Sequence, residues 1–311
     1  MYRLSSRTLR NLRPVKPVPA TRISRFGFHH CTSSWDALSD HFPQYTAPYQ
    51  VFDRQVKRLQ RDRAASFVES SREVDYLKDE VAARLADRLL DIKRKYPTVV
   101  ELGAGCGHFA KALEPTMTKK LIMCEMSEMM LNRDIDVKYK VEVERRLLDE
   151  ECPKFEPNSL EIVVSNLSMH WVNNLPARVK DALVPDGAFI GSLFGGDTLF
   201  ELRTSLQLAD QERSGGIAAR VSPMTQMTDV GGLLNRAGFT LSTIDVDNIQ
   251  VNYPSMFHLI SDLNAMGEGN AVTQRLPMLK RDTLIAAASI YKELHGNEDG
   301  SIPATFQILY F

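Results

Sequence analysis

Three glycines at alternate positions, Gly103, Gly105 and Gly107, carry the clearest chemical signal in this 311-residue sequence. They sit in Glu101-Leu102-Gly103-Ala104-Gly105-Cys106-Gly107. Glycine has no Cβ, so such a turn bends tightly and lets backbone N–H and C=O groups touch a ligand. Two acidic positions follow. Glu125 lies 20 residues after Gly105, and Asp149, Glu150 and Glu151 form a third acidic point. A carboxylate at Glu125 can accept hydrogen bonds from both hydroxyls of a ribose. These residues together describe a pocket for a nucleoside-bearing ligand.

Positioning them requires a particular series of elements. Leu77, Val81, Leu85 and Leu89 recur every fourth residue, which predicts an amphipathic helix over 75–91. Pro97 breaks that pattern, and 98–102 reads as a short buried strand leading into the glycine turn. A helix over 108–113, a strand over 121–124 ending at Glu125, and a helix through Met129 and Leu131 come next. A third strand starts at Val141 and ends near Leu148; a fourth covers 160–164, before a loop through Ser168-Met169-His170-Trp171. A helix over 176–183, a turn at Pro185-Asp186-Gly187 and a fifth strand over 188–194 complete the alternating half. Alternation of this kind implies a parallel sheet with helices on both faces. Beyond it, Thr198 and Glu201 have capping-box spacing at a helix start. A helix ending near Gly238, a sixth strand within 240–251, helices over 255–266 and 279–295, and a final β-rich run over 305–311 fill the rest.

Spacing separates the ligands that use such turns. A dinucleotide fingerprint, G-x-G-x-x-G, would need glycine at 108, where His108 stands. A P-loop needs a lysine that the turn lacks. What remains resembles the first motif of class I S-adenosylmethionine-dependent methyltransferases. The expected fold class is therefore α/β, a class I methyltransferase (Rossmann-like) fold. It would hold a seven-stranded, mostly parallel sheet with helices on both faces and helical insertions in the C-terminal half. The cofactor-binding candidates are Glu101, Gly103, Gly105, Glu125, Met126, Asp149, Glu150 and Asn166.

The net charge of −1 conceals an uneven distribution. Residues 1–35 contain seven basic residues, many Ser and Thr, and no acid before Asp36. That is transit-peptide composition, and no apolar core suited to a secretory signal is present. Without this segment the remainder is acidic, which argues against general nucleic-acid binding. Residues 36–74 read as an N-terminal extension and 75–311 as the cofactor-binding domain. Within the extension, Arg54, Lys57, Arg58, Arg61 and Arg63 read as a solvated helix face, ahead of a phosphate or lipid patch. The four cysteines form no C-x-x-C pair, so neither a disulfide framework nor a zinc site is indicated.

Longer motifs narrow the family. Phe52-Asp53-Arg54, 75–81, 164–172 through Asn166 and His170, 194–203, Gln250-Val251-Asn252-Tyr253-Pro254 and 297–305 resemble the mitochondrial complex I assembly factor 5 family. Bacterial malonyl-carrier-protein O-methyltransferases are similar. The resemblance implies a mitochondrial matrix protein peripheral to the inner membrane. It also implies hydroxylation of an arginine on a core iron–sulfur subunit of complex I. Two other roles stay open at this point, methyl transfer to a protein or carrier-bound carboxylate and cofactor-stabilised scaffolding. His170, after the fourth strand, and Tyr253, after the sixth, are the catalytic candidates. No histidine begins an H-x-D or H-x-E pair, and no metal site is expected.

Overall fold

The computed structural model describes residues 50–173, 176–276 and 278–311; the basic segment 1–35, with its expected transit role, lies outside them. Seven strands form one sheet: β1 (Tyr96–Leu102), β2 (Thr118–Glu125), β3 (Glu142–Leu147), β4 (Leu160–Asn166), β5 (Leu183–Phe194), β6 (Asp245–Tyr253) and β7 (Ile302–Tyr310). Their order is β3-β2-β1-β4-β5-β7-β6. β1 to β5 pair in parallel, and β7 inserts antiparallel between β5 and β6. The strand order reverses between β1 and β4, so their carboxyl ends open a crevice suited to a ligand.

The central strands are apolar on both faces because helices cover both. Successive side chains point to opposite sides. Val99, Leu121, Met123, Ile162 and Val164 therefore join one core, while Val100, Leu102, Ile122, Cys124 and Val163 join another. The first core packs beneath α3 (Tyr76–Asp91), whose Leu77, Val81, Leu85 and Leu89 are buried as their spacing predicts. α4 (His108–Ala112) follows the glycine turn on that side, and α5 (Glu128–Asn132) follows β2. α6 (Pro176–Ala182) lies before β5 and contributes Val179 to the second core. The C-terminal half adds α7 (Phe200–Ser214), α8 (Met227–Arg236), α9 (Met256–Ala265) and α10 (Arg281–His295). Two short helices, α1 (Arg54–Ser66) and α2 (Val68–Glu73), precede α3. They belong to the same compact unit as the sheet. Among the described residues, no helix is long and apolar enough to cross a membrane.

Two local expectations are corrected. The turn at Pro185-Asp186-Gly187 does not precede β5 but lies inside it. Asp186 takes φ 65°, and the pairing with β4 shifts between Leu160 and Ile162. Asp tolerates the left-handed region, so the chain bulges without leaving the sheet. The capping box at Thr198 and Glu201 does not form either. Leu199 is the N-cap residue of α7, with φ 53° and no side-chain cap. Thr198 instead donates through Oγ1 to the Gln307 carbonyl. Buried Glu201 accepts from Thr305 Oγ1 at 2.5 Å and from Thr305 N at 3.3 Å. Tertiary pairing with β7 has replaced the local cap.

Glu201→Ala should lower stability by about 1–3 kcal/mol, since it strands two donors of β7. Urea unfolding with an unchanged midpoint would show that these bonds contribute nothing.

Candidate functional site

The glycine turn is built as its spacing suggests. Gly103, Gly105 and Gly107 all have positive φ, at 70°, 58° and 90°. Gly103 N and Ala104 N donate to the Cys124 carbonyl, tying the turn to the end of β2. A Cβ at Gly103 would overlap the Ser168 side chain. The turn is therefore compressed against the loop after β4, and that contact excludes any larger residue.

Parallel strands end at one rim, and this brings the acids together. Glu125 closes β2 and is fully buried. It accepts from Gly105 N at 3.0 Å through Oε2 and from Ser127 N at 3.0 Å through Oε1. Glu150, beyond β3, is also fully buried, and Ser168 Oγ donates to its Oε1 at 3.1 Å. Asp149 is half-exposed beside it. Glu101 in β1 is fully buried, with neither carboxylate oxygen hydrogen-bonded. Burial, reinforced by the charge of Glu125, raises the Glu101 carboxyl well above its ordinary value. Its protonated form is favoured. Met126 is buried next to Glu125. Asn166 is buried at the end of β4, accepting from Ser192 Oγ at 2.9 Å and donating to the Lys78 carbonyl at 3.3 Å.

The largest departure from expectation is α1. Three of the five residues of its basic run do not face solvent, while Arg63 is exposed. Arg54, Lys57 and Arg61 occupy one stripe at i, i+3 and i+7, and that stripe faces inward. Arg61 Nη1 lies 2.8 Å and 3.1 Å from the two oxygens of Glu125 and 3.2 Å from Glu150 Oε1. Its Nη2 donates to Ser168 Oγ at 2.8 Å. Burial opposes the Arg61 charge, but Glu125 and Glu150 outweigh it and raise its pKa. Arg54 reaches Asp149 at 2.8 Å, Glu150 at 3.0 Å and Glu151 at 3.3 Å. Composition hides this because a basic stripe has the same spacing whether it faces water or an acidic pocket. The signal available was the matching cluster of acids downstream.

A second buried group lies under α1. His170 and Trp171 form a 3-10 turn after β4. Glu268, which sequence reasoning did not single out, accepts from Trp171 Nε1 at 2.7 Å and pairs with Lys78 at 2.8 Å. His170 Nε2 lies 3.5 Å from the same carboxylate, and its Nδ1 is buried without a partner. Burial lowers the His170 pKa against the pull of Glu268, so the imidazole is neutral at pH 7. Lys57 sits 3.4 Å over the Trp171 ring and donates to the carbonyls of Gly267 and Gly269. Burial lowers its pKa as well. Tyr253 sets its hydroxyl against that of Tyr76 at the start of α3, with burial raising its pKa. Asp75, Asp79 and His108 form the one group of three potential metal ligands found among the described residues. Arg133 and Lys111 already neutralise its carboxylates, and it offers a single imidazole, so it does not fit an iron centre.

This sheet order, glycine turn and acidic rim define an enzyme of the class I methyltransferase fold. A family model described as a methyltransferase domain matches residues 74–244. The crystal structure of a protein from Bacillus halodurans assigned as a methyltransferase aligns with TM-score 0.50, at 15% identity. It covers 72% of this chain and 96% of that one, and shows the shared fold. The chain is 47% identical to the mitochondrial arginine-hydroxylase NDUFAF5 of Danio rerio, covering 84% of this chain and 81% of that protein. It is 30% identical to the malonyl-[acyl-carrier protein] O-methyltransferase of Halorhodospira halophila, over 84% of this chain and 88% of that protein. The chain belongs to the NDUFAF5 arginine-hydroxylase family of mitochondrial proteins.

The acidic rim should be visible in acid unfolding. Burial alone would raise the Glu150 carboxyl, but Arg54 and Arg61 outweigh it and hold it at about 2. The folded value lies below the unfolded one near 4.5. The stability contributed by Glu150 is thus fully present above pH 4.5 and lost as pH falls toward 2. Thermal midpoints should drop across that window in the unmodified protein and less steeply in Glu150→Gln. Equal slopes would rule out an ionised, ion-paired Glu150.

Proposed function

We propose that this chain binds S-adenosylmethionine at the rim formed by β1, β2 and β4 and hydroxylates an arginine. The substrate arginine would lie on a core iron–sulfur subunit of respiratory complex I, during assembly at the matrix face of the inner membrane. The observation that carries the cofactor assignment is the convergence of Glu125 and Glu150 on the compressed glycine turn. The buried rim also fits the cofactor in its unpaired polar atoms. Both oxygens of Glu101 and Oε2 of Glu150 lack hydrogen-bond partners. Unpaired buried polar atoms are costly; a nucleoside amino acid has hydroxyl and amino groups to donate to Glu150 Oε2 and oxygens to accept from a protonated Glu101.

Glu125 would hold the ribose hydroxyls, Asp149 and Glu150 the adenine amino group, and the bare backbone of Gly103 to Gly105 the methionine portion. Met126 and Asn166 would flank it. When bound, the cofactor supplies an electrophilic sulfonium methyl. His170 keeps a neutral imidazole whose unpartnered Nδ1 can accept a proton or a hydrogen bond from a substrate. Trp171 and Phe194 pack its ring at centroid distances of 5.2 and 4.7 Å. Insertion of oxygen needs an oxidant, and no residue of this chain is given that step. Arginine hydroxylation rests on family membership. Methyl transfer is the second reading, favoured by the similarity to a malonyl-carrier O-methyltransferase.

Glu125→Ala should weaken S-adenosylmethionine binding by about 2–4 kcal/mol, because charge-assisted bonds to a diol are lost. Unchanged affinity in calorimetry would remove Glu125 from the site. Mass spectrometry of the iron–sulfur subunit, with and without active protein, separates the reactions. Gain of an oxygen on arginine supports hydroxylation, and gain of a methyl supports the second reading.

A further inference from the structure

We propose that α1 is a lid, and that its Arg61 occupies the seat on Glu125 that the ribose hydroxyls take when the cofactor binds. The inference rests on the cofactor reading above and adds an access step to it. A carboxylate has about four acceptor positions. On Glu125 all are engaged: Oε1 by Arg61 and Ser127 N, Oε2 by Arg61 and Gly105 N. Ser127 N and Gly105 N belong to the turns that shape the site. Arg61 comes from outside the sheet, so it is the donor that can be exchanged.

Rotation of the Arg61 side chain alone does not make room. Arg54, two turns earlier on the same face of α1, spans Asp149, Glu150 and Glu151, so the acids stay covered even when the Arg61 side chain swings aside. Clearing both guanidiniums from the acids assigned to the cofactor therefore takes a lift of α1 from the rim.

The lid also has a clasp. Phe52 and Val272 form an isolated antiparallel bridge. Asp53 N donates to the Ala271 carbonyl, and Thr273 N to the Val51 carbonyl. Asn173 Oδ1 accepts from Val51 N and Phe52 N at 2.9 and 3.0 Å. Lys57 holds the Gly267 and Gly269 carbonyls from the next turn. Helix and loop thus close on the rim together, and the guanidinium that neutralises the acids when the lid is shut competes with the cofactor.

The test measures S-adenosylmethionine binding by calorimetry and stopped-flow fluorescence, on the full chain and two variants. Arg61→Ala removes the competitor, and its apparent Kd should fall by at least about tenfold, because the binding-competent fraction rises. The double variant Phe52→Cys/Val272→Cys places two thiols at a cross-strand pair close enough for a disulfide. Oxidation should slow cofactor association by at least about tenfold, and reduction should restore it. Should Arg61→Ala fail to fold, as circular dichroism would reveal, the double variant decides alone. Unaltered or weaker binding by folded Arg61→Ala, or equal association rates for oxidised and reduced double variant, would overturn the lid. If neither the unmodified protein nor any variant binds the cofactor, it is the cofactor reading itself that fails, and the lid falls with it.

Discussion

The pairing of Arg61 with Glu125 and Glu150 is the constraint around which the functional end of the molecule is arranged. Parallel strands deliver their carboxyl ends to one rim, so acids following β2 and β3 collect there by topology. Two buried carboxylates cannot stay ionised in close company without a cation, because removing charge from water costs several kcal/mol per ion. α1 supplies that cation. The same geometry that readies the rim for hydroxyl and amino donors also makes it a seat for guanidinium.

Environment then gives identical side chains different states. Glu150 stays ionised because Arg54 and Arg61 outweigh its burial. Glu101, a strand away with no basic partner, is pushed toward the neutral acid by the same burial. Glu268 is ionised against Lys78, and His170 beside it stays neutral because burial exceeds the pull of the carboxylate. Charge at this end of the sheet is set by which helix covers each acid.

The C-terminal half contributes to the site from a distance. Glu201 and Thr198 fasten α7 to β7, and β7 completes the sheet between β5 and β6. The segment after α9 then reaches back to carry Glu268 beneath α1 and to clasp residues 51–53. Residues 267–273 are thereby brought to a rim whose acids, Glu125 and Glu150, stand well over a hundred residues earlier in the chain.

The amino-acid sequence by itself determined the alternating elements, the glycine turn and the acids at the ends of β2 and β3. These features are local: Leu77, Val81, Leu85 and Leu89 share a helix face by period alone, and Gly103 tolerates φ 70° wherever the chain goes. The family was legible too, in motifs such as Ser165 to Trp171. What covers those motifs was decided only in three dimensions. The inward turn of Arg54 and Arg61 depends on acids 64 to 95 residues away, and that of Lys57 on the carbonyls of Gly267 and Gly269. The partnership of His170 with Glu268, and the replacement of a helix cap by a β7 contact at Glu201, are likewise long-range. Local spacing fixes which residues share a face, but the face each one meets is set by the packing of distant segments, where burial and charge pairing outweigh propensity.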